Sequence, residues 1–256
     1  MDRKSFDRLF DLTGRTVIVT GGTRGIGLAL AEGFVFAGAR VVVASRKPDA
    51  CEQAAQHLRG LGGEALGVAT HLGDVGALEA LVGRTVEEFG GIDVVVNNAA
   101  NALAQPVGQM TADALAKSHE VNLRGPVFLV QAALPHLRAS AHASVVNMIS
   151  VGAFNFAPGT AIYSANKAAL MSYTRSMASE YASDGIRVNA IAPGPVDTDM
   201  MRNNPQEAID RMAGSNLMRR LAQPDEMVGA ALLLASDAGS YMTGTVIIAD
   251  GGGTPR

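Results

Sequence analysis

Short β-branched runs alternate along this chain with longer Ala/Leu-rich amphipathic stretches. The runs are TVIVT (16–20), RVVVAS (40–45), IDVVVN (92–97), ASVVNMI (143–149), IRVNAI (186–191) and TVIIAD (245–250), with a weaker EALGVAT at 64–70. A strand with one wet face alternates polar and apolar residues; these runs are nearly continuous in apolar residues, which predicts strands buried on both faces. The amphipathic stretches between them predict helices at about 25–37, 49–60, 75–89, 111–138, 162–183 and 224–236. A β-α repeat of this kind predicts an α/β fold, a doubly wound parallel sheet of about seven strands with helices on both faces. No Pro/Gly/Ser-rich linker divides the chain, so residues 1–256 read as a single domain. The exception to the repeat is 194–222, where Met200, Met201, Met212 and Met218 mingle with Arg202, Arg211, Arg219 and Arg220 and no strand pattern appears. A segment of that length inside an α/β domain reads as a substrate lid with short helices of its own.

Bulk properties narrow the function classes. A net charge of -3 offers no basic excess to nucleic acid. Cys51 is the single cysteine, which forbids an internal disulfide and the usual thiolate metal cages and fits a reducing cytoplasm. The histidines (57, 71, 119, 136 and 142) show no paired ligand spacing, so no metal site is expected. The N-terminal MDRKSFDRLFDLTG mixes acids with bases and lacks the apolar core of a signal peptide. No apolar run approaches the roughly 18 residues of a membrane span. The expectation is a cytoplasmic protein with neither nucleic-acid nor membrane partners.

Directly after the first run comes TGGTRGIG, with Gly21, Gly25 and Gly27 at the entrance to a helix. Glycines there let backbone approach a pyrophosphate, and the helix start offers unpaired N–H groups and the positive end of its dipole. In a Rossmann-type β-α-β unit this turn holds a dinucleotide, and an acid about twenty residues on marks NAD by bonding the ribose 2'-hydroxyl. Here the second run ends in Ala44, Ser45, Arg46 and Lys47, with no acid. Arg46 and Arg24 suit a 2'-phosphate, with Ser45 as a further donor. NADP(H) is therefore preferred, with NAD(H) the alternative.

The stretch YSANK carries the other candidate chemistry. Four tyrosines and four lysines would yield roughly 0.06 Tyr-x-x-x-Lys pairs by chance. Tyr163 and Lys167 at that spacing share a helix face. A phenol with its ordinary pKa of about 10 transfers protons poorly at neutral pH, whereas a neighbouring cation favours phenolate and brings the pKa toward working pH.

With TGxxxGxG at 20–27, NNAA at 97–100, Asn122, Ser150, Tyr163 with Lys167 and PGPVDT at 193–198, in order across nearly the whole chain, the sequence resembles the short-chain dehydrogenase/reductase family, and within it the 3-oxoacyl-[acyl-carrier-protein] reductase-like members. The resemblance implies a catalytic tetrad of Asn122, Ser150, Tyr163 and Lys167. Tyr163 would be the proton donor, Ser150 a hydrogen-bond donor to the substrate oxygen, Lys167 also a holder of the nicotinamide ribose, and Asn122 the anchor of a water that resupplies protons. It further implies cofactor contacts from Gly21, Thr23, Arg24, Gly25, Ile26, Gly27, Ser45, Arg46, Asp74, Val75, Asn97, Asn98, Ala99, Pro193, Gly194, Val196 and Thr198. Asp74 equally suits the N-cap of the helix that begins at Val75.

Ala100 and Pro195 depart from the family pattern without touching the tetrad. Ala141 and Asp184 stand where carrier-protein reductases commonly carry basic residues, which argues against docking of an acidic carrier. The lid methionines, with Phe154 and Phe156 in VGAFNFAPG (151–159), point to a medium-sized, partly apolar carbonyl or alcohol substrate. Small residues Ala165, Ala168, Ala169, Ser172 and Ser176 on the Tyr163 helix permit close packing, and the resemblance implies a homotetramer or dimer. Two other functions compete: an NAD-dependent dehydrogenase of a sugar, polyol or sterol alcohol, and a non-catalytic cofactor-binding sensor or scaffold. Enoyl reductases of the superfamily space Tyr and Lys further apart, and Leu170 stands seven after Tyr163, so that reaction is not expected.

Overall fold

Continuous Val/Ile runs have no polar face to turn to water, and in the folded chain they take the middle of the molecule. The structure, a computed structural model, describes residues 2–254. Its strands are β1 (Thr16–Thr20), β2 (Arg40–Ser45), β3 (Ala65–Ala69), β4 (Val94–Asn97), β5 (Ser144–Met148), β6 (Arg187–Pro193) and β7 (Val246–Ala249), joined in one parallel sheet of order β3-β2-β1-β4-β5-β6-β7. The helices are α1 (Arg3–Asp7), α2 (Gly25–Phe36), α3 (Pro48–Gly60), α4 (Val75–Phe89), α5 (Ala112–His119), α6 (Gly125–Ala139), α7 (Ala161–Tyr181), α8 (Asp199–Arg202), α9 (Gln206–Gly214) and α10 (Val228–Ala235).

Alternate residues of each strand feed two separate cores. Val17, Val19, Val41, Val43, Val94, Val96 and Val146 face a layer filled by Leu30 and Phe34 of α2, Leu58 of α3 and Leu234 of α10. Ile18, Val42, Val95, Val145 and Val188 face Leu78 and Leu81 of α4, Leu129 and Leu137 of α6, and Met177 of α7. The edge strand β3 is only partly covered, which accounts for the weakness of EALGVAT as a strand signal. The order reverses beside β1, whose neighbours are β2 and β4. Ligands of open α/β sheets sit in the crevice beyond the carboxyl ends of the strands at such a reversal.

Two features differ from the sequence reading or refine it. The helix expected at 111–138 is broken: a π-helical turn, Glu120–Arg124, separates α5 from α6. Gly125 follows it at a point where a Cβ would lie 2.6 Å from the Leu72 carbonyl oxygen, so the chain there passes against the loop after β3. The 194–222 segment contains α8 and α9, and its two ends meet in a bridge between Val196 and Ala222.

Arg219, in the turn after α9, is the sole non-glycine residue with positive φ among the described residues, at 52°. That conformation costs an L-residue about 1–2 kcal/mol, and a glycine there would return about 0.5–1 kcal/mol of the gain as extra unfolded-chain entropy. Arg219→Gly is therefore expected to stabilise the protein by about 0.5–1 kcal/mol, seen as a higher urea midpoint at unchanged m-value. A lower midpoint would mean that the arginine side chain contributes more than its backbone costs.

Candidate active site

The glycine turn at the end of β1 is packed so tightly that its residues are dictated by space. Gly21 has φ 64° and Gly25 φ 52°, and a Cβ on Gly27 would lie 2.1 Å from the Gly21 carbonyl oxygen and 2.4 Å from Asn98 Nδ2. α2 begins after Arg24, which caps it with no side-chain hydrogen bond. The first-turn N–H groups of a helix have no intrahelical partners and point outward. Thr23 and Ile26 are half-buried beside them, and Ile26 packs on the core below.

Asn98 and Ala99 close the neighbouring strand end onto this turn. Asn98 Nδ2 donates to the carbonyls of Thr20 at 2.9 Å and Gly21 at 3.3 Å, and the N–H groups of Asn98 and Ala99 both donate to the Thr20 hydroxyl, at 3.0 and 3.1 Å. The Asn98 amide is thus committed to shaping the turn. Asn97 is buried and donates to Asn147 Oδ1 at 2.8 Å.

Ser45 is half-buried at the end of β2, and Arg46 and Arg24 are exposed. Arg24 stands 3.4 Å from the Asp199 carboxylate at the head of α8. Asp74 is the N-cap of α4, accepting from Ala77 N–H at 3.2 Å, and Val75 opens that helix. On the far side of the crevice, Pro193 ends β6 and Gly194 passes against Asp250, whose Cα would be 2.8 Å from a Cβ at that position. Val196 is buried, and Thr198 caps α8, its methyl 3.2 Å from where a Cβ of Gly25 would stand. The start of the 194–222 segment therefore lies directly over the glycine turn.

Ser150, Tyr163 and Lys167 come together at the end of β5. Ser150 caps a short 3-10 turn, accepting from Gly152 N–H at 3.1 Å, and its hydroxyl and the Tyr163 ring both flank Gly152, a Cβ on which would lie 3.4 Å from Ser150 Oγ and 3.8 Å from Tyr163 Cε1. Lys167 is 1 % exposed; its Nζ donates to the Met148 carbonyl at 2.8 Å and lies 5.6 Å from the centre of the Tyr163 ring. Burial lowers the Lys167 ammonium to about 8. Burial also raises the Tyr163 phenol, with the nearby Ser150 hydroxyl acting the other way and less strongly. The sequence reading expected the lysine to lower the phenol. The folded protein departs from it because removing the phenolate from water outweighs the attraction of an ammonium that is itself desolvated and turned to a carbonyl. Tyr163 is consequently a protonated phenol at neutral pH.

Asn122 sits on the π turn, fully buried. Its Nδ2 lies within hydrogen-bond distance of the Asn101 carbonyl (2.9 Å) and Oδ1 (2.8 Å) and of the Ser118 carbonyl and hydroxyl (both 3.0 Å), and its Oδ1 accepts from Asn101 N–H at 3.2 Å. Asn101, Ser118 and the Met148 carbonyl are partners that sequence reasoning missed. Ser118 precedes Asn122 by one helical turn, a spacing that was there to be read; Asn101 and Met148 carried no signal.

Exposed apolar side chains flank this end of the sheet: Phe154 and Phe156 on the loop after β5, and Met200, Leu217 and Met218 in the 194–222 segment. The C-terminal turn joins the two groups, since Asn155 Nδ2 reaches Thr254 Oγ1 at 3.5 Å and Met218 N–H donates to the Gly251 carbonyl at 3.2 Å. Among the described residues no helix is long and apolar enough to cross a membrane, and no group of three or more His, Cys, Asp or Glu could hold a metal ion.

Comparison with known proteins gives matches across nearly the whole chain. A family model described as Enoyl-(Acyl carrier protein) reductase matches residues 21–254. The human Dehydrogenase/reductase SDR family member 4 is 35% identical over 247 residues, 95% of this chain and 88% of its own. The cis-4-hydroxycyclohexanecarboxylate dehydrogenase of Sinomonas cyclohexanicum is 38% identical over 242 residues, 94% of this chain and 96% of its own. The crystal structure of a dehydrogenase/reductase from Sinorhizobium meliloti 1021 matches with a TM-score of 0.94 at 30% identity, covering 98% of this chain and all of that one.

The lysine can be checked by its titration. Between pH 8 and 10.5 the unfolded chain holds a proton on Lys167 that the folded chain has released, so this group makes stability rise with pH across that window. Below the window it costs the fold about 3 kcal/mol. The stability of Lys167→Met relative to the unsubstituted protein is expected to fall by about that amount between pH 7 and pH 10.5 in urea titrations. A difference that stays level with pH would show that Lys167 titrates normally.

Proposed function

The chain belongs to the short-chain dehydrogenase/reductase family of oxidoreductases, and from this premise we propose that it interconverts a carbonyl and a secondary alcohol using NADP(H). The observation that carries this reading is the buried Lys167 ammonium, held on the Met148 carbonyl at 2.8 Å and 5.6 Å from the centre of the Tyr163 ring, beside Ser150 at the end of β5.

The residues at the crevice fit a dinucleotide. Close packing of Gly27 against Gly21 and Asn98 fixes the shape of the glycine turn, and the uncapped start of α2 supplies outward N–H donors for a pyrophosphate. Ser45 and Arg46 close β2 without an acid, and Arg24 adds a second guanidinium, which favours a 2'-phosphate. Asp74, Val75, Asn97, Asn98 and Ala99 would shape the adenosine side, and Pro193, Gly194, Val196 and Thr198 the nicotinamide side. The nicotinamide, when bound, supplies or accepts the hydride.

The chain's own groups do the rest. Tyr163, protonated at neutral pH, gives its proton to the substrate oxygen as that oxygen gains charge. Ser150 donates a hydrogen bond to the same oxygen and so stabilises the developing charge. Lys167 holds a positive charge beside the phenol as it loses its proton, and Asn122 anchors the path by which the proton is restored. The segment 194–222 acts as a lid, and the apolar rim of Phe154, Phe156, Leu217 and Met218 suits a partly apolar substrate. Enoyl reduction, which the family model's description names, is not this reading: Leu170 stands seven after Tyr163 and is buried in the core. Carrier-protein docking is not part of it either, because Asp184 already holds Arg138 at 2.8 Å. Exposed Ala165, Ser172 and Ser176 along α7 support assembly into a dimer or tetramer through that helix.

One observation favours the alternative of an NAD-dependent dehydrogenase of a sugar, polyol or sterol alcohol: Asp199 shares the charge of Arg24. Fluorescence titration with both reduced cofactors separates the two, and tighter binding of NADH than NADPH would overturn the NADP(H) assignment. Tyr163→Phe is expected to lower turnover of a ketone panel by about 10²–10⁴ while leaving cofactor binding intact. Substantial retained turnover would remove Tyr163 from its role.

A further inference from the structure

The four groups assigned to proton handling ride on separate pieces of the chain. Tyr163 and Lys167 belong to α7, and Asn122 belongs to the π turn between α5 and α6. Catalysis is sensitive to such relative placement, a displacement of 1 Å costing on the order of 10²-fold. One side chain bridges the two pieces in the buried layer between them. Asn166, next to Lys167 in sequence and 5 % exposed, donates from Nδ2 to the Ser118 hydroxyl oxygen at 3.2 Å and to the Ile162 carbonyl at 2.9 Å. Its Oδ1 lies 3.2 Å from Nδ1 of His119, which is exposed on α5. Asn122 Nδ2 reaches the same Ser118 hydroxyl oxygen at 3.0 Å.

We infer that Asn166 is a positioning residue for the proposed reaction: acting through the Ser118 hydroxyl, it fixes how Asn122 is turned relative to Tyr163 and Lys167. The inference rests on the role given above to that tetrad.

The donor count supports a role in orientation. An amide nitrogen carries two hydrogens, whereas Asn122 Nδ2 has four acceptors within reach, two on Asn101 and two on Ser118. Which two it uses is decided by what else those acceptors hold. Asn166 supplies one hydrogen to the Ser118 oxygen, which stops the hydroxyl from rotating and leaves its second lone pair directed to Asn122. Ser118 and Asn122 are both fully buried, so a missing partner there is costly. Without Asn166 the hydroxyl rotor is free and Asn122 turns toward Asn101. Asn166 also lies on the helix that carries Tyr163, so the same bond holds α7 against the last turn of α5, which leads into the π turn.

Asn166→Ala, Ser118→Ala and the double variant test this in the full-length protein. The readouts are kcat and KM for an active ketone and the dissociation constant of NADPH by fluorescence. Each single variant is expected to lower kcat about tenfold with NADPH affinity within about twofold of the unsubstituted protein, given the sensitivity of rate to placement. The double variant is expected to be no slower than the slower single, because both remove one link. Unchanged kcat in both singles, effects that multiply in the double, or NADPH affinity falling in step with kcat would each overturn the inference. Should Asn166→Ala not fold, Ser118→Ala alone decides, since it removes one oxygen and leaves Asn122 three other acceptors; unchanged kcat there overturns it. An unsubstituted protein that reduces no carbonyl would defeat the proposed function instead, whereas an active one with indifferent variants defeats only the role of Asn166.

Discussion

An ammonium held almost free of water by one carbonyl organises this molecule. Lys167 donates to the Met148 carbonyl at the end of β5, and that bond helps tie α7 to the strand whose next residues include Ser150. Burial of a charge is costly unless something fixed receives it. Here the receiver is backbone at the C-terminal edge of a parallel sheet, the stiffest place the fold offers. The phenol of Tyr163, the Ser150 hydroxyl and the crevice beside β1 and β4 are all placed relative to that edge.

The way the two ends of the gap are built differs, and the difference follows from what each must do. The end proposed for the cofactor's phosphates is made by exclusion: Gly21 and Gly27 are there because nothing larger fits against Asn98 and Ala99, and Asn98 is consumed in bonding Thr20 and Gly21. The reacting end is made by side chains whose ordinary pKa values burial displaces in opposite directions, the lysine downward and the tyrosine upward. Both groups pay for their place in solvation. Sites with displaced titration are where general acid–base chemistry is found.

Much of this was accessible from residue order alone, and the reasons are local. The strands announced themselves because both sheet faces are dry, leaving uninterrupted Val/Ile runs; only β3, with one side partly wet, was faint. The glycine turn and the pair Tyr163 and Lys167 are short-range patterns, complete within one turn of chain. What the sequence could not convey was long-range or energetic. The π turn at Glu120–Arg124 has no propensity signature, and the stretch reads as continuous helix until Gly125 is seen to press on Leu72. The Asn101–Asn122 contacts join positions 21 apart whose meeting depends on how β4 and α5 dock. The sign of the Tyr163 shift failed for a related cause: proximity in sequence gives the attraction of a cation but not the solvation lost when both groups are enclosed.

A second buried chain of amides explains why α7 sits where it does and not one turn along. Asn97 of β4 donates to Asn147 of β5 at 2.8 Å, Asn147 donates to Thr174 of α7 at 2.9 Å, and the Thr174 hydroxyl donates to the Leu170 carbonyl at 2.8 Å. All three side chains are buried, and Asn97 Oδ1 has no partner. A helix packed on a sheet through Met177 and Ala178 alone is held by shape, and aliphatic surfaces tolerate displacement. A hydrogen bond in a dry layer does not, since a shift of one helical turn would break the Asn147–Thr174 bond and leave a buried amide hydrogen unpaired at about 1–3 kcal/mol. The ladder thus sets the register of α7 on β5, and with it the height of Lys167 over Met148 and of Tyr163 over Ser150.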